Sequence, residues 1–181
     1  KKNKIKYYRG SENNVLKRVY EAANKHHADI IVQVSGDSPL TDPEIIDAWI
    51  KIFKKIKPDI FSEGWGELPS GVTAPIINIK ALKKSLELTN NKSDLEHVTR
   101  FIFRNPKIFN IKFYKSKKNQ QFSNLHLCID EIEDYKLISS YVDINREKNM
   151  NLLKIIKFFK KNKNLLKFNQ YVNRKSKKEH D

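Results

Sequence analysis

Residues 30–44 read Ile-Ile-Val-Gln-Val-Ser-Gly-Asp-Ser-Pro-Leu-Thr-Asp-Pro-Glu. The apolar run at 30–34 is typical of a short buried strand in a parallel sheet, and Gly36 permits the sharp turn after it. Asp37 is then left at the carboxyl end of the strand, where open α/β sheets bind their ligands. A carboxylate there can hold a divalent cation against phosphate groups, because magnesium prefers oxygen and takes few protein ligands. This stretch therefore predicts an α/β fold and a phosphate chemistry.

The composition indicates one domain with a real core, since 39% of the 181 residues are hydrophobic. The sequence contains no run of about 18 or more apolar residues, so it predicts no membrane span, and it shows no secretory signal. The lone Cys128 excludes an intramolecular disulfide or a cysteine zinc cluster and suits a reducing cytoplasm. Met150 is the only methionine, so we expect Lys1 to be preceded by further sequence in the natural protein.

The net charge of +15 raises the question of nucleic-acid or anionic-lipid binding. Lysine accounts for 30 of the 36 basic residues, although arginine is the better reader of phosphates and base edges. Abundant Lys, Asn and Ile are typical of an AT-rich genome, and no face interleaves arginine with aromatic residues. The sequence therefore predicts neither a specific nucleic-acid partner nor a membrane partner.

Apolar periodicity alternates between strand and helix along most of the chain, which is the pattern of an α/β fold. We expect an α/β domain over residues 1–145, a helical extension over 146–173 and a basic, disordered tail over 174–181. Asp42 and Pro43 form a typical helix start. The predicted strands are 5–8, 29–34, 59–62, 72–79, 109–114 and 125–129; the predicted helices are 15–23, 43–56, 80–88, 94–104, 132–144 and 151–162.

Five segments, taken in order, resemble one family. They are Tyr8-Arg9-Gly10-Ser11-Glu12-Asn13-Asn14-Val15-Leu16-Lys17-Arg18, Ser35-Gly36-Asp37-Ser38-Pro39-Leu40, Leu95-Glu96-His97-Val98-Thr99, Ile129-Asp130-Glu131-Ile132-Glu133-Asp134, and Lys163-Asn164-Leu165-Leu166-Lys167-Phe168-Asn169. Together they resemble the cytidylyltransferases of the spore-coat-polysaccharide type, relatives of the acylneuraminate and 3-deoxy-manno-octulosonate cytidylyltransferases.

The resemblance implies a doubly wound, mostly parallel sheet of the nucleotide-diphospho-sugar transferase type. It also implies transfer of CMP from CTP to an acidic sugar for surface polysaccharide synthesis, with release of pyrophosphate. Such a transfer needs positioning and charge neutralisation rather than a protein nucleophile. The implied residues are Asp37 and Asp130 as catalytic ligands of Mg²⁺, Arg9, Gly10, Ser11 and Gly36 at the nucleotide, and Ser70, Gly71, His97 and Arg100 at the sugar.

Each of these residues also has a purely structural interpretation. Asp37 fits a turn after a strand, and Asp130 and Ser11 fit helix caps. His97 lies on a helix with an apolar side, where a lone histidine is more often structural than catalytic. Arg100 belongs to the same helix, and Ser70 and Gly71 fit an ordinary turn.

The chain departs from the family pattern at its start. The family opens with a strand and a basic loop of the type Arg-x-x-Ser-x-Arg-Leu-Pro-x-Lys around the triphosphate, and no such loop is in this sequence. A non-catalytic, partner-binding relative is therefore an alternative. A nucleotide-sugar glycosyltransferase is another, although no Asp-x-Asp pair follows Val34. Related enzymes are usually dimers, and Leu153, Ile156 and Phe159 on the late helix are a candidate interface.

Overall fold

The computed structural model describes residues 5–64, 66–145 and 151–174. No helix in these ranges is both long and apolar enough to cross a membrane. The strands are β1 (Ile30–Val32), β2 (Ile60–Glu63), β3 (Ile76–Asn78) and β4 (Ile111–Tyr114); the helices are α1 (Val15–Lys25), α2 (Pro43–Ile56), α3 (Ile79–Leu88), α4 (Lys92–Glu96), α5 (Arg100–Arg104), α6 (Ile132–Asn145) and α7 (Leu152–Lys161); short 3₁₀ turns cover Lys118–Gln120 and Lys163–Phe168.

The four strands form one sheet in the order β1-β3-β2-β4. β3 pairs antiparallel with both of its neighbours, while β2 and β4 pair in parallel. β1, β2 and β4 consequently run in one direction, which confirms the mostly parallel prediction, and β3 alone runs against them. The reason is the connection, because β3 follows β2 through a loop rather than through the helical crossover that a parallel neighbour requires.

Both faces of the sheet are covered, as the doubly wound prediction requires. Alternating side chains separate the faces, so that Ile60 and Ile77 enter one hydrophobic cluster and Phe61 and Ile76 enter the other. The first cluster adds Leu16, Leu82, Ile102 and Phe109, from α1, α3, α5 and the start of the β4 segment; the second adds Trp49, Phe53, Leu137, Tyr141, Ile155 and Phe159, from α2, α6 and α7.

The strand predicted over 72–79 is shortened to β3, because residues 72–75 lie in the preceding loop and Ile79 begins α3. Three further predicted elements differ from the structure in kind. Residues 5–8 form no strand, because no described strand lies beside them and the Tyr8 hydroxyl instead donates to Glu21 on α1. The helix predicted over 94–104 breaks at His97, whose backbone is extended. The strand predicted at 125–129 is reduced to one bridge between His126 and Ser70, since the Ile129 amide donates to Asp37 in another loop.

The C-terminal helix α7 shares the main core rather than extending from it. Asp42 caps α2 as predicted, and its second oxygen also accepts the backbone N–H of Leu152 at 2.7 Å, at the start of α7. Ile156 and Phe159 are 3% and 0% exposed. The prediction that these two residues form a dimer interface is therefore wrong, because the domain's own core takes them; Leu153 is 44% exposed.

Candidate active site at the carboxyl edge of the sheet

Three loops gather at the carboxyl edge of the sheet because β1, β2 and β4 all end there. The loops cover residues 33–42, 64–75 and 115–131. Backbone hydrogen bonds join them: the Asp42 N–H donates to Val72 at 2.9 Å, and the Phe122 N–H donates to Glu67 at 2.8 Å. The edge is therefore a connected surface rather than three independent loops.

Asp37 lies in the turn after β1 and is half-buried. Its Oδ1 accepts the Ser38 hydroxyl at 2.9 Å. Its backbone carbonyl accepts the Ile129 N–H at 2.8 Å. This last bond fixes the loop that carries Asp130 directly against the loop that carries Asp37, so the two carboxylates singled out by sequence lie on adjoining loops.

Asp130 is exposed and ends a chain of side-chain hydrogen bonds. Its Oδ2 is 2.9 Å from His126 Nε2, and His126 Nδ1 is 2.7 Å from the Ser70 hydroxyl. An ionised carboxylate only accepts, so Nε2 of the neutral ring carries the proton and Nδ1 accepts from Ser70. Ser70 is thus joined to Asp130 through His126.

Gly71 brings the 64–75 loop into close contact with the 115–131 loop. Its φ is +85°, and a Cβ at this position would lie 2.7 Å from the Leu127 carbonyl oxygen. Gly36 is different, because a Cβ there would meet no atom within 4 Å. Gly71 is therefore required by packing, while Gly36 leaves open space beside Asp37.

The Cys128 thiol lies among these groups. Its Sγ is 3.5 Å from the Ser38 hydroxyl, and it is half-buried. Burial raises the pKa of this thiol, and the nearby negative charges of Asp37 and Asp130 raise it further, against hydrogen bonds from Ser38 and Ser70 that lower it. A protonated thiol is a poor nucleophile, so Cys128 is not suited to covalent catalysis.

Asp134 is fully buried behind Asp130. Burial alone would raise its pKa, but hydrogen bonds from Arg174 and Asn169 outweigh burial and lower the pKa to about 2. The prediction of a disordered tail beginning at Arg174 does not hold for that residue, because its guanidinium lies 2.5 Å from Asp134; residues 175–181 lie outside the described residues.

The oxygen donors at this edge fit a magnesium ion. Side-chain ligand atoms of His126, Asp130 and Asp134 lie within 4.8 Å of one another. Both oxygens of Asp134 already accept hydrogen bonds from protein donors, and His126 bonds to Ser70 and Asp130. Of these three residues, Asp130 alone keeps an accessible carboxylate. The half-buried Asp37 lies outside this group but on the adjoining loop, and two carboxylates match the preference of Mg²⁺ for few, hard oxygen ligands.

The residues predicted at the nucleotide lie in the segment that leads into α1. Arg9, Gly10 and Ser11 are exposed. The Ser11 hydroxyl accepts the backbone N–H of Asn14, whose own side chain caps α1, and the Ser11 carbonyl accepts from Arg18 at 2.8 Å. The contacts described for Gly10 and Ser11 are thus with this segment and α1 rather than with the Asp37 and Asp130 loops.

His97 and Arg100 lie where the chain passes from α4 to α5. Arg100 pairs with the buried Asp94 at 2.6 Å, and Thr89 donates to the other oxygen of Asp94 at 2.9 Å. The Arg100 side chain is only 12% exposed, while His97 is exposed at the end of α4. The neighbouring Val98 and Ile102 enter the cluster on the α1 side of the sheet.

Several residues at this edge were not predicted as site residues from the sequence. His126 had a usable signal, because it alternates with the buried Leu125 and Leu127 and so points away from the core. Asn169 ends the fifth segment that resembles the family, but its contact with Asp134, 35 positions earlier, could not be read from that segment. Arg174 had no signal, because its partner Asp134 lies 40 positions away.

Comparison with known proteins identifies one family. The cytidylyltransferase family profile matches residues 3–175. An uncharacterized protein of Methanocaldococcus jannaschii is 31% identical over 178 residues, which are 97% of this chain and 71% of that protein. The spore coat polysaccharide biosynthesis protein SpsF of Bacillus subtilis is 25% identical over 142 residues, which are 75% of this chain and 56% of that protein.

A solved cytidylyltransferase structure from Leptospira borgpetersenii superposes on the chain with a TM-score of 0.88 and 26% sequence identity. The superposition covers 96% of this chain and 73% of that one. Its fold therefore contains nearly all of the present chain, and it includes a further quarter of residues beyond the matched part.

Proposed function

The chain belongs to the cytidylyltransferase family, and from that premise we propose that it transfers CMP from CTP to an acidic sugar and releases pyrophosphate. Family and fold both support nucleotidyl transfer. The name of the Bacillus relative, a spore coat polysaccharide biosynthesis protein, supports a role in polysaccharide synthesis. Because the lone cysteine suits a reducing compartment, we expect the reaction to take place in the cytoplasm.

The observation that carries the proposal is the hydrogen bond between the Ile129 N–H and the Asp37 carbonyl. It brings Asp37 and Asp130 to adjoining loops at the edge where an α/β sheet binds ligands. Attack of a sugar hydroxyl on the α-phosphate forms one P–O bond as the bond to pyrophosphate breaks, and the hydroxyl proton leaves with solvent or phosphate. This displacement requires positioning and charge neutralisation rather than a covalent protein intermediate.

Asp37 and Asp130 are the residues that would hold magnesium. The bound ion supplies charge neutralisation for the triphosphate and the leaving pyrophosphate. The hydrogen bonds from Ser38 to Asp37 and from His126 to Asp130 orient these carboxylates.

Substrate recognition is proposed for residues near these carboxylates and for the segment before α1. The open space at Gly36, beside Asp37, is assigned to the nucleotide. The exposed Arg9, Gly10 and Ser11 are assigned to the nucleotide on the family resemblance. Ser70 and Gly71 adjoin Asp130 through His126 and are assigned to the sugar. His97 and Arg100 are assigned to the sugar on the family resemblance alone.

The test is pyrophosphate release by the full-length natural protein with CTP, Mg²⁺ and sugars that carry a free anomeric hydroxyl. The sugars are offered as matched acidic and neutral pairs, and ATP, GTP and UTP replace CTP in parallel. We expect release with CTP and an acidic sugar. Release only with another nucleotide would refute the CTP assignment, and a preference for neutral sugars would refute the acidic one.

Substitutions of the two proposed metal ligands test where on the protein the reaction takes place. Asp37→Asn and Asp130→Asn each remove one proposed ligand charge, and we expect both to lower release to background. Asp47→Asn is the matched control, because Asp47 is exposed on α2. Wild-type turnover in either of the first two variants would contradict the placement of the metal.

A further inference from the structure

Asp134 fixes the turn that carries Asp130. One oxygen of its carboxylate, Oδ2, accepts the backbone N–H of Asp130 at 3.2 Å and that of Glu131 at 3.0 Å. Charge-assisted bonds of this kind at the start of a helix are strong and hold the local backbone. The position of Asp130 therefore depends on the position of the Asp134 carboxylate.

The Asp134 carboxylate is in turn held by the segment that follows α7. Its Oδ1 accepts from Asn169 Nδ2 at 2.7 Å and from Arg174 Nη2 at 2.5 Å, and Arg174 Nη1 reaches Oδ2 at 3.2 Å. The planar guanidinium thus engages both oxygens, a geometry that lysine cannot reproduce.

Asn169 ties both ends of the segment 126–134 to the C-terminal part of the chain. The same Nδ2 that donates to Asp134 also lies 3.0 Å from the carbonyl oxygen of His126. Asn169 is itself 6% exposed. This neutral amide fixes the loop geometry without adding a charge to the site.

Arg174 also reaches the carboxylate of Asp130. Its Nη1 lies 3.5 Å from Asp130 Oδ2, the oxygen that is 2.9 Å from His126 Nε2. The additional contact directs one oxygen of Asp130 toward the protein and so defines the orientation of the carboxylate.

We propose that Asn169 and Arg174 are positioning residues for Asp130, acting through the buried Asp134, so that the segment after α7 belongs to the active site. This inference rests on the proposed function, in which Asp130 is a metal ligand. Partners behind a metal ligand typically change metal affinity by 10–100-fold when they are lost. Neither residue is expected to touch substrate.

The experiment measures Mn²⁺ binding in the presence of CTP by electron paramagnetic resonance, using the full-length protein. Mn²⁺ serves as the probe because it takes the same oxygen ligands as Mg²⁺. The variants are Asn169→Ala, Arg174→Gln and Arg174→Lys. Lys167→Gln is the matched control, because Lys167 is exposed in the same segment and this substitution removes the same charge as Arg174→Gln. Each titration is run below the thermal midpoint of the variant, so that only folded protein is measured.

We expect Asn169→Ala and Arg174→Gln to weaken Mn²⁺ binding about tenfold, and to lower kcat more than they raise the KM for CTP. Arg174→Lys keeps the charge but loses the paired contact with Asp134, so we expect its Mn²⁺ affinity to lie between those of Arg174→Gln and the wild type. Lys167→Gln should bind Mn²⁺ like the wild type.

Two results would overturn this proposal and leave the proposed function intact. Unchanged Mn²⁺ affinity in folded Asn169→Ala and Arg174→Gln would show that the contacts serve only stability, and tighter binding in Arg174→Gln would show that Arg174 competes with the cation. Absence of Mn²⁺ binding to the wild-type protein with CTP would instead overturn the metal role of Asp130, and this proposal with it.

Discussion

At the scale of single residues, the candidate site is built from groups whose environments assign them different tasks. Asp37 and Asp130 remain accessible, while Asp134 is buried and fully used by protein donors. His126 is held between a serine and a carboxylate, which fixes its tautomer. Cys128 is kept protonated by its surroundings. The two accessible carboxylates are therefore backed by a layer of side chains that hydrogen bonds hold in place.

The two glycines at the site differ in what a methyl group would meet. Gly71→Ala places a Cβ 2.7 Å from the Leu127 carbonyl oxygen at a φ of +85°, so we expect a loss of about 1–3 kcal/mol of folding free energy. Gly36→Ala meets nothing within 4 Å and is the control, with little expected change in stability. Urea denaturation measures both, and equal stability of the two variants would contradict the packing argument.

Asp134 should make the stability of the protein depend on acid pH. Its pKa is lowered from an ordinary 3.8 to about 2 in the folded state, so its contribution is present above about pH 4 and is lost as the pH falls through about 2. Asp134→Asn should cost about 3 kcal/mol at neutral pH, because it breaks a buried ion pair, and it should remove this component of the acid dependence. Thermal unfolding between pH 2 and 7 measures both effects.

The control for that experiment is Asp143→Asn, on the exposed side of the same helix. It should retain the wild-type profile. An acid dependence in Asp134→Asn equal to that of the wild type would show that other carboxylates are responsible.

At the scale of elements, the sequence patterns predicted the features that depend on residues close together in the sequence. The Asp42-Pro43 start of α2 follows from cap chemistry, and β1 and its Gly-Asp turn follow from a β-branched run with a glycine after it. The direction of β3 and the break at His97 were not predicted: β3 runs against its neighbours because a loop rather than a helix connects it to β2, and the chain becomes extended at His97. In the site, Asp37 could be predicted from the end of a strand and Asp130 only from the family resemblance, whereas the contacts of Arg174 required the folded chain.

Asp42 joins two helices, and its loss should therefore cost more than that of an ordinary cap. Its Oδ1 accepts from Glu44 and Ile45 at the start of α2, and its Oδ2 accepts from Leu152 at the start of α7. Asp42→Ala should destabilise the protein by roughly 2–3 kcal/mol, against about 1 kcal/mol for a single cap. Asn78→Ala removes the side-chain cap of α3 and is the comparison; an equal loss in both variants would contradict the double role.

At the scale of the whole molecule, a sheet covered on both faces presents its loops at one edge. The two hydrophobic clusters hold β2 and β3 between them, and the C-terminal helix closes one of the clusters. The family match spans residues 3–175, so the core and the candidate site both lie in the matched part of the chain. β1 leads into the turn of Asp37, a hydrogen bond from Ile129 fixes the loop of Asp130 against it, and the segment after α7 completes the layer behind them.

The central claim, that the nucleotide binds at the Asp37 and Asp130 edge, is tested most directly by alkylation of Cys128. Its thiol lies 3.5 Å from Ser38 and feels the charges of both carboxylates, and mass spectrometry of the peptide that contains it reports the rate. We predict that CTP with Mg²⁺ slows alkylation in the wild-type protein but not in Asp37→Asn. An unchanged rate under conditions where calorimetry shows CTP bound would contradict the account, because the nucleotide would then lie elsewhere.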